Sequence, residues 1–512
     1  METISSKLLN RAYMCGQAPA VIYDELTLNW AELSNLSLRA STLLRQHGIK
    51  KGTHVAFLCT NRPAYLVGWF GLANIGAITV SLNTALVGEG LRYAITQSDA
   101  EAIFVERSLL ETNRSDIEAV LNERALIIFD KDEGLFRQVR DLEPDAAYDG
   151  AGSDPVSIIY TSGTTGRPKG VLNCHEAFLA SGRWMVRSLN IVQEDRIMVF
   201  LPLFHTNPQM YAVMSALEVG CALVIRPKLS VGRFFEEARY FKCTVFTYVG
   251  TVLAMLTSRL KNEERDHLLT RCVGGGCPEE AWQIMESRYG ITPFELYGMT
   301  ELGGWVTGNT TDDYRFGSCG RPRPDMDVEV FDDEDRPVPA GLQGEIVVRP
   351  KIPFTMFLGY WGNAEASWDA SRNFWFHTGD IGKKDEDGYL YFIGRLKEII
   401  RRGGENISPA ELEMVLLDHP GIDDVAVVAV PDAIFGDEIK AAIVANTTFF
   451  PQDIWSFLEG RVPTYMFPRY IQFVPSIPRT ATQKILRAPL QEDSKDVVDL
   501  NISGKSETGP RN

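Results

Sequence analysis

The sequence predicts an α/β fold: a large N-terminal domain of layered α/β sheets with a small antiparallel β-barrel-like part, and a small α+β C-terminal domain. Three observations predict it. Short apolar runs alternate with helical patterns from residue 20 to residue 289, as in sheets of mainly parallel strands joined through helical crossovers. At 512 residues the chain is too long for one ordinary core. The texture changes twice, to turn-rich alternation between about residues 315 and 400, and to a compact mixed pattern beyond Arg401.

In chain order, residues 54–59 read as a strand, 62–75 as a helix, 78–82 as a strand, 88–97 as a helix and 102–105 as a strand. Residues 115–123 look helical and 125–129 extended. Pro144, Gly150, Gly152 and Pro155 make residues 141–155 a loop. Strands follow at 196–201, 222–226 and 244–249, with helices at 175–189, 234–241, 251–260 and 281–289. The runs at 328–330, 345–348 and 389–393 are separated by Asp, Gly and Pro turns, which suits hairpins. Ser408 before Pro409 is a good helix start, with the helix running to about Asp418. Residues 425–430, 438–445 and 470–474 read as strands and 454–458 as a helix. The polar residues 491–512, with Gly504, Gly509 and Pro510, are expected to lack order.

With 45% hydrophobic and 23% charged residues, the composition is that of a soluble enzyme. The net charge of −16 argues against general binding to nucleic acid or to anionic membranes, so an anionic ligand must meet a local cluster of cations. The first seven residues hold no apolar signal core. The most apolar window, residues 67–82, is too short for a membrane span. Eight scattered cysteines contain no Cys-x-x-Cys pair, which fits a reducing cytoplasm and indicates neither a zinc site nor a disulfide framework.

The most informative stretch is Thr161, Ser162, Gly163, Thr164, Thr165, Gly166, Arg167, Pro168, Lys169 and Gly170, set between apolar runs. Hydroxyls and bare glycine amides can surround phosphate oxygens, and a lysine can neutralise them. The spacing is not that of the common P-loop, and a Ser/Thr/Gly turn between strands is the plainer alternative. A second stretch, Glu295 to Glu301, sets Tyr297, Gly298, Met299 and Thr300 before a carboxylate. Near a phosphate loop that carboxylate requires a divalent cation, making Glu301 a candidate Mg²⁺ ligand; alone, the stretch is equally a strand end with Thr300 as a helix cap. A third, His377-Thr378-Gly379-Asp380, puts on a tight turn an aspartate able to accept ribose hydroxyls, or one that merely forms the turn. Gly394-Arg395-Leu396-Lys397, Gly403-Gly404-Glu405-Asn406 and a terminal Gln483-Lys484 complete the set.

Taken in this order over residues 10–490, these motifs resemble the adenylate-forming superfamily, which includes acyl- and aryl-CoA synthetases, firefly luciferase and the adenylation domains of nonribosomal peptide synthetases. The resemblance implies that residues 161–169 close over the β- and γ-phosphates, while Gly274, Gly275, Gly276 and Tyr297 sandwich the adenine. Thr300 touches the α-phosphate and Glu301 holds Mg²⁺. Asp380 and Arg395 bind the ribose. Lys397 is the hinge, dividing a domain of residues 1–396 from a mobile one of 397–490, ahead of the 491–512 tail. Gly403, Gly404, Glu405 and Asn406 line the pantetheine route, and Lys484 bridges the carboxylate and the α-phosphate. Gln483 stands where the family commonly has glycine.

The implied reaction is attack of a carboxylate on the α-phosphorus of ATP, release of pyrophosphate, and transfer of the acyl group from the adenylate to coenzyme A. The alternative is a stand-alone enzyme that loads a carrier-protein thiol; the Gly403 to Asn406 run looks more like the CoA ligases. A nucleotide sensor without catalysis is favoured only by Gln483, and a luciferase-type oxygenase by nothing specific. The acid pocket is expected between His205 and Tyr248-Val249-Gly250, with Gly298 and Met299 beneath. His205 reads as a gate or as a core histidine; Trp184, Asn207, Met210, Tyr248 and Trp305 read as lining or as plain core. Residues 245–248 lack the aspartate that amino-acid-activating relatives use for the α-ammonium, which favours an acid without an α-amine. Short, medium, aryl and carnitine-like acids stay open. The expected partners are a small carboxylic acid, ATP, Mg²⁺ and CoA, and a homodimer is compatible with the sequence.

Overall fold

The computed structural model describes residues 2–161, 168–396, 398, 400–402, 405–432, 436–459, 461–462, 464–479 and 485–500. The chain forms two compact units. Met1–Glu329, Val347–Phe376 and Asp385–Tyr391 make the first; Val330–Ile346, His377–Lys384 and Phe392–Asn512 make the second.

The first unit holds two large sheets. In one, Arg196–Val199 and Ala222–Ile225 lie beside Val245–Val249, Arg271–Gly275 and Thr292–Tyr297, all parallel. Pro19–Tyr23 extends this sheet in parallel and Leu26–Asn29 closes that edge antiparallel. Thr307–Gly308 and Arg321–Pro322 close the other edge, also antiparallel. In the second sheet, Ala125–Phe129, Ala102–Glu106, His54–Leu58, Ile78–Ser81 and Pro155–Thr161 run parallel. Lys169–Cys174 and Gly359–Tyr360 then add antiparallel strands. The mainly parallel sheets expected from the sequence thus have antiparallel margins: Lys169–Cys174 is the strand expected to leave the Ser/Thr/Gly stretch, whereas Thr307–Gly308, Arg321–Pro322 and Gly359–Tyr360, of two residues each, are too short to show a periodicity.

One continuous core joins these sheets, and the helix Pro63–Ile75 runs through it with every residue buried. Its sequence is apolar all round, as a helix with no solvent face must be. Pro63 opens it and Gly76, at φ 76°, ends it in the left-handed region. Helices Ile4–Cys15 and Trp30–Gln46, not foreseen in the sequence, are each fixed by a reciprocal capping box, at Thr3 with Ser6 and at Asn29 with Glu32.

The turn-rich stretch forms a four-stranded sheet in the order Met326–Phe331, Gln343–Pro350, Phe376–Lys384, Leu390–Arg395. The second unit holds a six-stranded sheet centred on Gly436–Ala445, which pairs antiparallel with Ile422–Asp432 and parallel with Tyr470–Phe473. Helix Pro409–Leu417 buries Leu412 and Leu416 in that unit's core, and its N-cap Ser408 accepts the Glu411 N–H at 3.4 Å. Residues 491–500, expected with the tail to lack order, end the helix Arg487–Glu492 and form the strand Val497–Asp499. That strand pairs antiparallel with Tyr470–Phe473, Leu500 is buried, and Asp499 accepts from Arg469 at 2.9 Å. Among the described residues, no helix is long and apolar enough to cross a membrane.

Candidate active site

Two adjacent strands hold the ends of the Ser/Thr/Gly stretch. Thr161 closes Pro155–Thr161, Lys169 opens Lys169–Cys174, and the antiparallel register pairs them directly. Ser162, Gly163, Thr164, Thr165 and Gly166 lie outside the described residues. Both ends of the stretch reach one carboxylate system. The Thr161 hydroxyl donates to Glu301 Oε1 at 3.2 Å, and the Tyr360 hydroxyl donates to the same oxygen at 3.1 Å. Lys169 Nζ stands 4.6 Å from the centre of the Tyr360 ring. Glu301 is buried.

The strand Thr292–Tyr297 delivers the second motif. Tyr297 is buried at its end, Gly298 and Met299 continue extended, and Thr300 begins a single 3₁₀ turn that presents Glu301. The Thr300 hydroxyl lies 2.7 Å from that of Thr206, both buried. Gly298 is required by close approach: a Cβ there would sit 2.1 Å from the Gly304 carbonyl oxygen and 2.4 Å from Trp305 Cα.

Beside it, Gly274 and Gly275 end the strand Arg271–Gly275, and Gly276 turns the chain at φ 83°. A buried carboxylate fastens this turn. Glu295 accepts the backbone N–H groups of Gly276 and Cys277 and the Tyr248 hydroxyl, the last at 2.7 Å. Burial pushes Glu295 up to about 7, against the three donors that pull it down.

Among the residues expected to line an acid pocket, His205 is half-buried and its ring packs 4.4 Å from that of Phe204. Asn207 donates to the Tyr248 carbonyl oxygen at 2.9 Å and opens a π-helical turn, Asn207–Val213, that the sequence did not reveal. Val249 is 40% exposed, whereas Tyr248 and Trp305 are buried. Tyr248 is committed through Glu295 to the packing under the glycine turn. Trp305 donates to the Ser181 carbonyl oxygen at 3.2 Å. Trp184 is half-buried with the Arg187 guanidinium 4.8 Å from its ring centre.

In the second unit, His377-Thr378-Gly379-Asp380, expected on a tight turn, instead lies within the strand Phe376–Lys384, where Gly379 at φ 71° interrupts the regular backbone before Asp380. Glu345 fixes this irregularity, accepting the Gly379 N–H at 2.9 Å and lying 2.7 Å from His377 Nδ1. Asp380 is buried, and Arg395 Nε lies 3.4 Å from its Oδ1. Leu396 donates its N–H to the Gly379 carbonyl oxygen at 2.8 Å, so the end of the Arg395 strand is tied to the strand segment that carries Asp380. Glu405 and Asn406 lie on the short strand Glu405–Ile407. Lys397, Gly403, Gly404 and Lys484 lie outside the described residues.

Comparison with known proteins places this geometry. The family model for AMP-binding enzymes matches residues 8–361, and the model for the AMP-binding enzyme C-terminal domain matches residues 411–484. The chain belongs to the AMP-binding enzyme family. Crotonobetaine/carnitine–CoA ligase of Salmonella agona (strain SL483) is 32% identical to it over 497 residues, 93% of this chain and 96% of the relative. Among solved structures, the anthranilate CoA ligase AuaEII in complex with anthranoyl-AMP is similar at 26% identity and a TM-score of 0.87, over 96% of each chain. ATP-bound MatB from Rhodopseudomonas palustris is similar at 26% identity and a TM-score of 0.88, over 96% of this chain and 98% of its own.

As an AMP-binding enzyme of the acyl-CoA synthetase type, the chain activates a carboxylic acid with ATP to an acyl-adenylate, releases pyrophosphate, and passes the acyl group to coenzyme A. Its reaction uses Mg²⁺. Among the described residues, no group of three or more His, Cys, Asp or Glu side chains is gathered to hold a metal ion. That suits Mg²⁺, which commonly takes one or two carboxylates, completes its shell with substrate phosphates and retains water. Glu301, a single buried carboxylate accepting from Thr161 at the end of the Ser/Thr/Gly stretch, fits such a site. Two residues of this neighbourhood escaped the sequence reading, Tyr360 and Thr206. Their partners lie 59 and 94 residues away, so no local spacing marks them.

Proposed function

We propose that this enzyme activates a short carboxylic acid without an α-amine. The observation that carries the size assignment is the packing beneath Gly298. The Gly298 backbone lies against Gly304 and Trp305, and Trp305 is only 2% exposed. A Cβ on Gly304 would meet Ser181 Oγ at 2.9 Å and Met210 Sδ and Tyr211 Cε1 at 3.1 Å. Packing this tight around Gly298 and Gly304 favours a short acid over a long acyl chain. The similarity to crotonobetaine/carnitine–CoA ligase supports acids of that kind as first candidates.

The residue roles follow from charge. Two anions, the acid and the α-phosphate, must be brought together, so the protein's contribution is neutralisation and alignment. Lys169 and the hydroxyls of residues 161–165 take the β- and γ-phosphates, and Glu301 holds Mg²⁺, which supplies charge neutralisation at the phosphates. Thr300 meets the α-phosphate, and Gly274 to Gly276 with Tyr297 take the adenine. Asp380, steadied by Arg395, accepts the ribose hydroxyls. His205 and Val249 border the acid. Lys484 bridges acid and α-phosphate in the first half-reaction. Gly403 to Asn406 serve the thiol in the second, after a turn about Lys397. The eight free cysteines support a reducing, cytoplasmic setting.

A pyrophosphate-release screen over short, aryl, long-chain and amino acids, with and without CoA, tests this reading. Release of pyrophosphate and AMP with short acids is expected. Preference for long-chain or α-amino acids would overturn the substrate assignment, and release independent of any acid would overturn the roles given to this site. Lys484→Ala should damage adenylation far more than thioester formation from supplied acyl-adenylate; equal loss of both would remove Lys484 from the first step.

A further inference from the structure

The short strand Gly359–Tyr360 pairs with Lys169–Cys174, Tyr360 opposite Val171, and the Trp361 N–H donates to the Gly170 carbonyl oxygen at 2.8 Å. Tyr360 is therefore anchored to the strand that begins with Lys169. From that position its two ends do different things. The ring face receives the Lys169 ammonium, 4.6 Å from its centre. The hydroxyl donates to Glu301 Oε1 at 3.1 Å. Phe357, three residues earlier, donates its N–H to the Glu301 carbonyl oxygen at 3.0 Å, and its ring meets that of Tyr360 edge-on at 5.3 Å. The Glu301 backbone and side chain are thus both held from one short segment.

A tyrosine serving only as core would be buried among apolar groups. Tyr360 is half-buried, and with Lys169 and Trp361 it lines a cavity of about 230 Å³.

We propose that Tyr360 is a positioning residue that orients the Glu301 carboxylate for the divalent cation and couples it to Lys169. The inference rests on the reading that Glu301 holds Mg²⁺. A carboxylate with one oxygen fixed by a phenol and a threonine presents its other oxygen in one direction, which favours a single-oxygen metal contact. Hydrogen-bond partners of metal ligands contribute through such orientation, and their loss commonly weakens metal binding about 10- to 100-fold.

The test is Mn²⁺ binding to the full-length enzyme in the presence of a non-hydrolysable ATP analogue, read as free Mn²⁺ by electron paramagnetic resonance. Tyr360→Phe keeps the ring under Lys169 and removes only the hydroxyl. It should weaken Mn²⁺ binding about 10-fold, raise the Mg²⁺ concentration needed for half-maximal pyrophosphate release, and leave KM for the acid unchanged. Tyr360→Leu, which also removes the ring, should in addition raise KM for ATP. Melting curves of both variants identify loss of folding, and Tyr360→Phe is isosteric enough to carry the test alone. Mn²⁺ binding lost in Glu301→Gln but retained in Tyr360→Phe would overturn the inference while leaving the magnesium reading intact. Unchanged binding in Glu301→Gln would overturn the magnesium reading and the inference with it.

Discussion

The hydroxyls of Thr206 and Thr300 lie 2.7 Å apart, so one must donate to the other. If Thr206 donates, the Thr300 proton stays available for the α-phosphate contact proposed for it, and the hydroxyl pair would then set the direction of that hydrogen bond. Removing the donor without changing shape leaves a buried oxygen short of a partner, at a cost of about 1–3 kcal/mol. Thr206→Val should lower kcat/KM of the adenylation step by about 30-fold, near the middle of that range. Thr206→Ser should restore most of it. ATP–pyrophosphate exchange measures both; a valine variant as fast as wild type would show that Thr300 is aligned by other means. At this scale legibility depended on chemistry. Glu301 stood out because a carboxylate among hydroxyls and glycines requires a cation. Thr206 did not, because a threonine following His205 is unremarkable until folding brings Thr300 to it.

Among the elements, periodicity revealed what was long and regular and missed what was short or irregular. The helix Pro63–Ile75 and the strands around it were legible because their apolar runs and bounding Pro and Gly agree. The segment read as one helix over 281–289 is α-helical only over Glu279–Ile284 and then widens into a π-turn, Met285–Tyr289, which no 3.6-residue pattern encodes. The helix Arg487–Glu492 was hidden for a different reason: it is held by a residue on a distant strand. Lys440, from Gly436–Ala445, is buried and donates Nζ to the carbonyl oxygens of Leu490, at 2.7 Å, and Asp493. A cation at a helix C-terminus satisfies carbonyls that have no partner within the helix. The partners of Lys440 lie 50 and 53 residues away, so no local spacing marks it. Lys440→Met should leave those carbonyls unsatisfied and destabilise the second unit by about 1–3 kcal/mol. Limited proteolysis should then cut first within residues 487–500. Unchanged protection of that segment would show that the strand Val497–Asp499 alone secures it.

For the large unit as a whole, two buried ionisable groups act in opposite directions with pH. Glu295 is pushed up to about 7 by burial, from an ordinary 4.5. Its stabilisation is fully present below 4.5 and is lost as pH rises through 7. His175, whose Nδ1 accepts the Ile4 N–H at 3.2 Å and whose ring stacks on Tyr148, is pushed down by burial to about 4, from 6.5. Its contribution is present above 6.5 and is lost as pH falls through 4. Each shift corresponds to on the order of 3 kcal/mol. Between pH 4.5 and 6.5 the two nearly cancel, so wild-type stability should be flat there while each single variant slopes. Glu295→Gln removes the gain on acidification and leaves the His175 loss, so this variant should fall in unfolding midpoint relative to wild type as pH drops from 7 to 5. His175→Asn, which keeps an acceptor for Ile4, should do the reverse. Urea denaturation at pH 5, 6, 7 and 8 separates the two contributions. Parallel profiles for wild type and Glu295→Gln would mean that the three donors on Glu295 outweigh its burial and hold it ionised throughout.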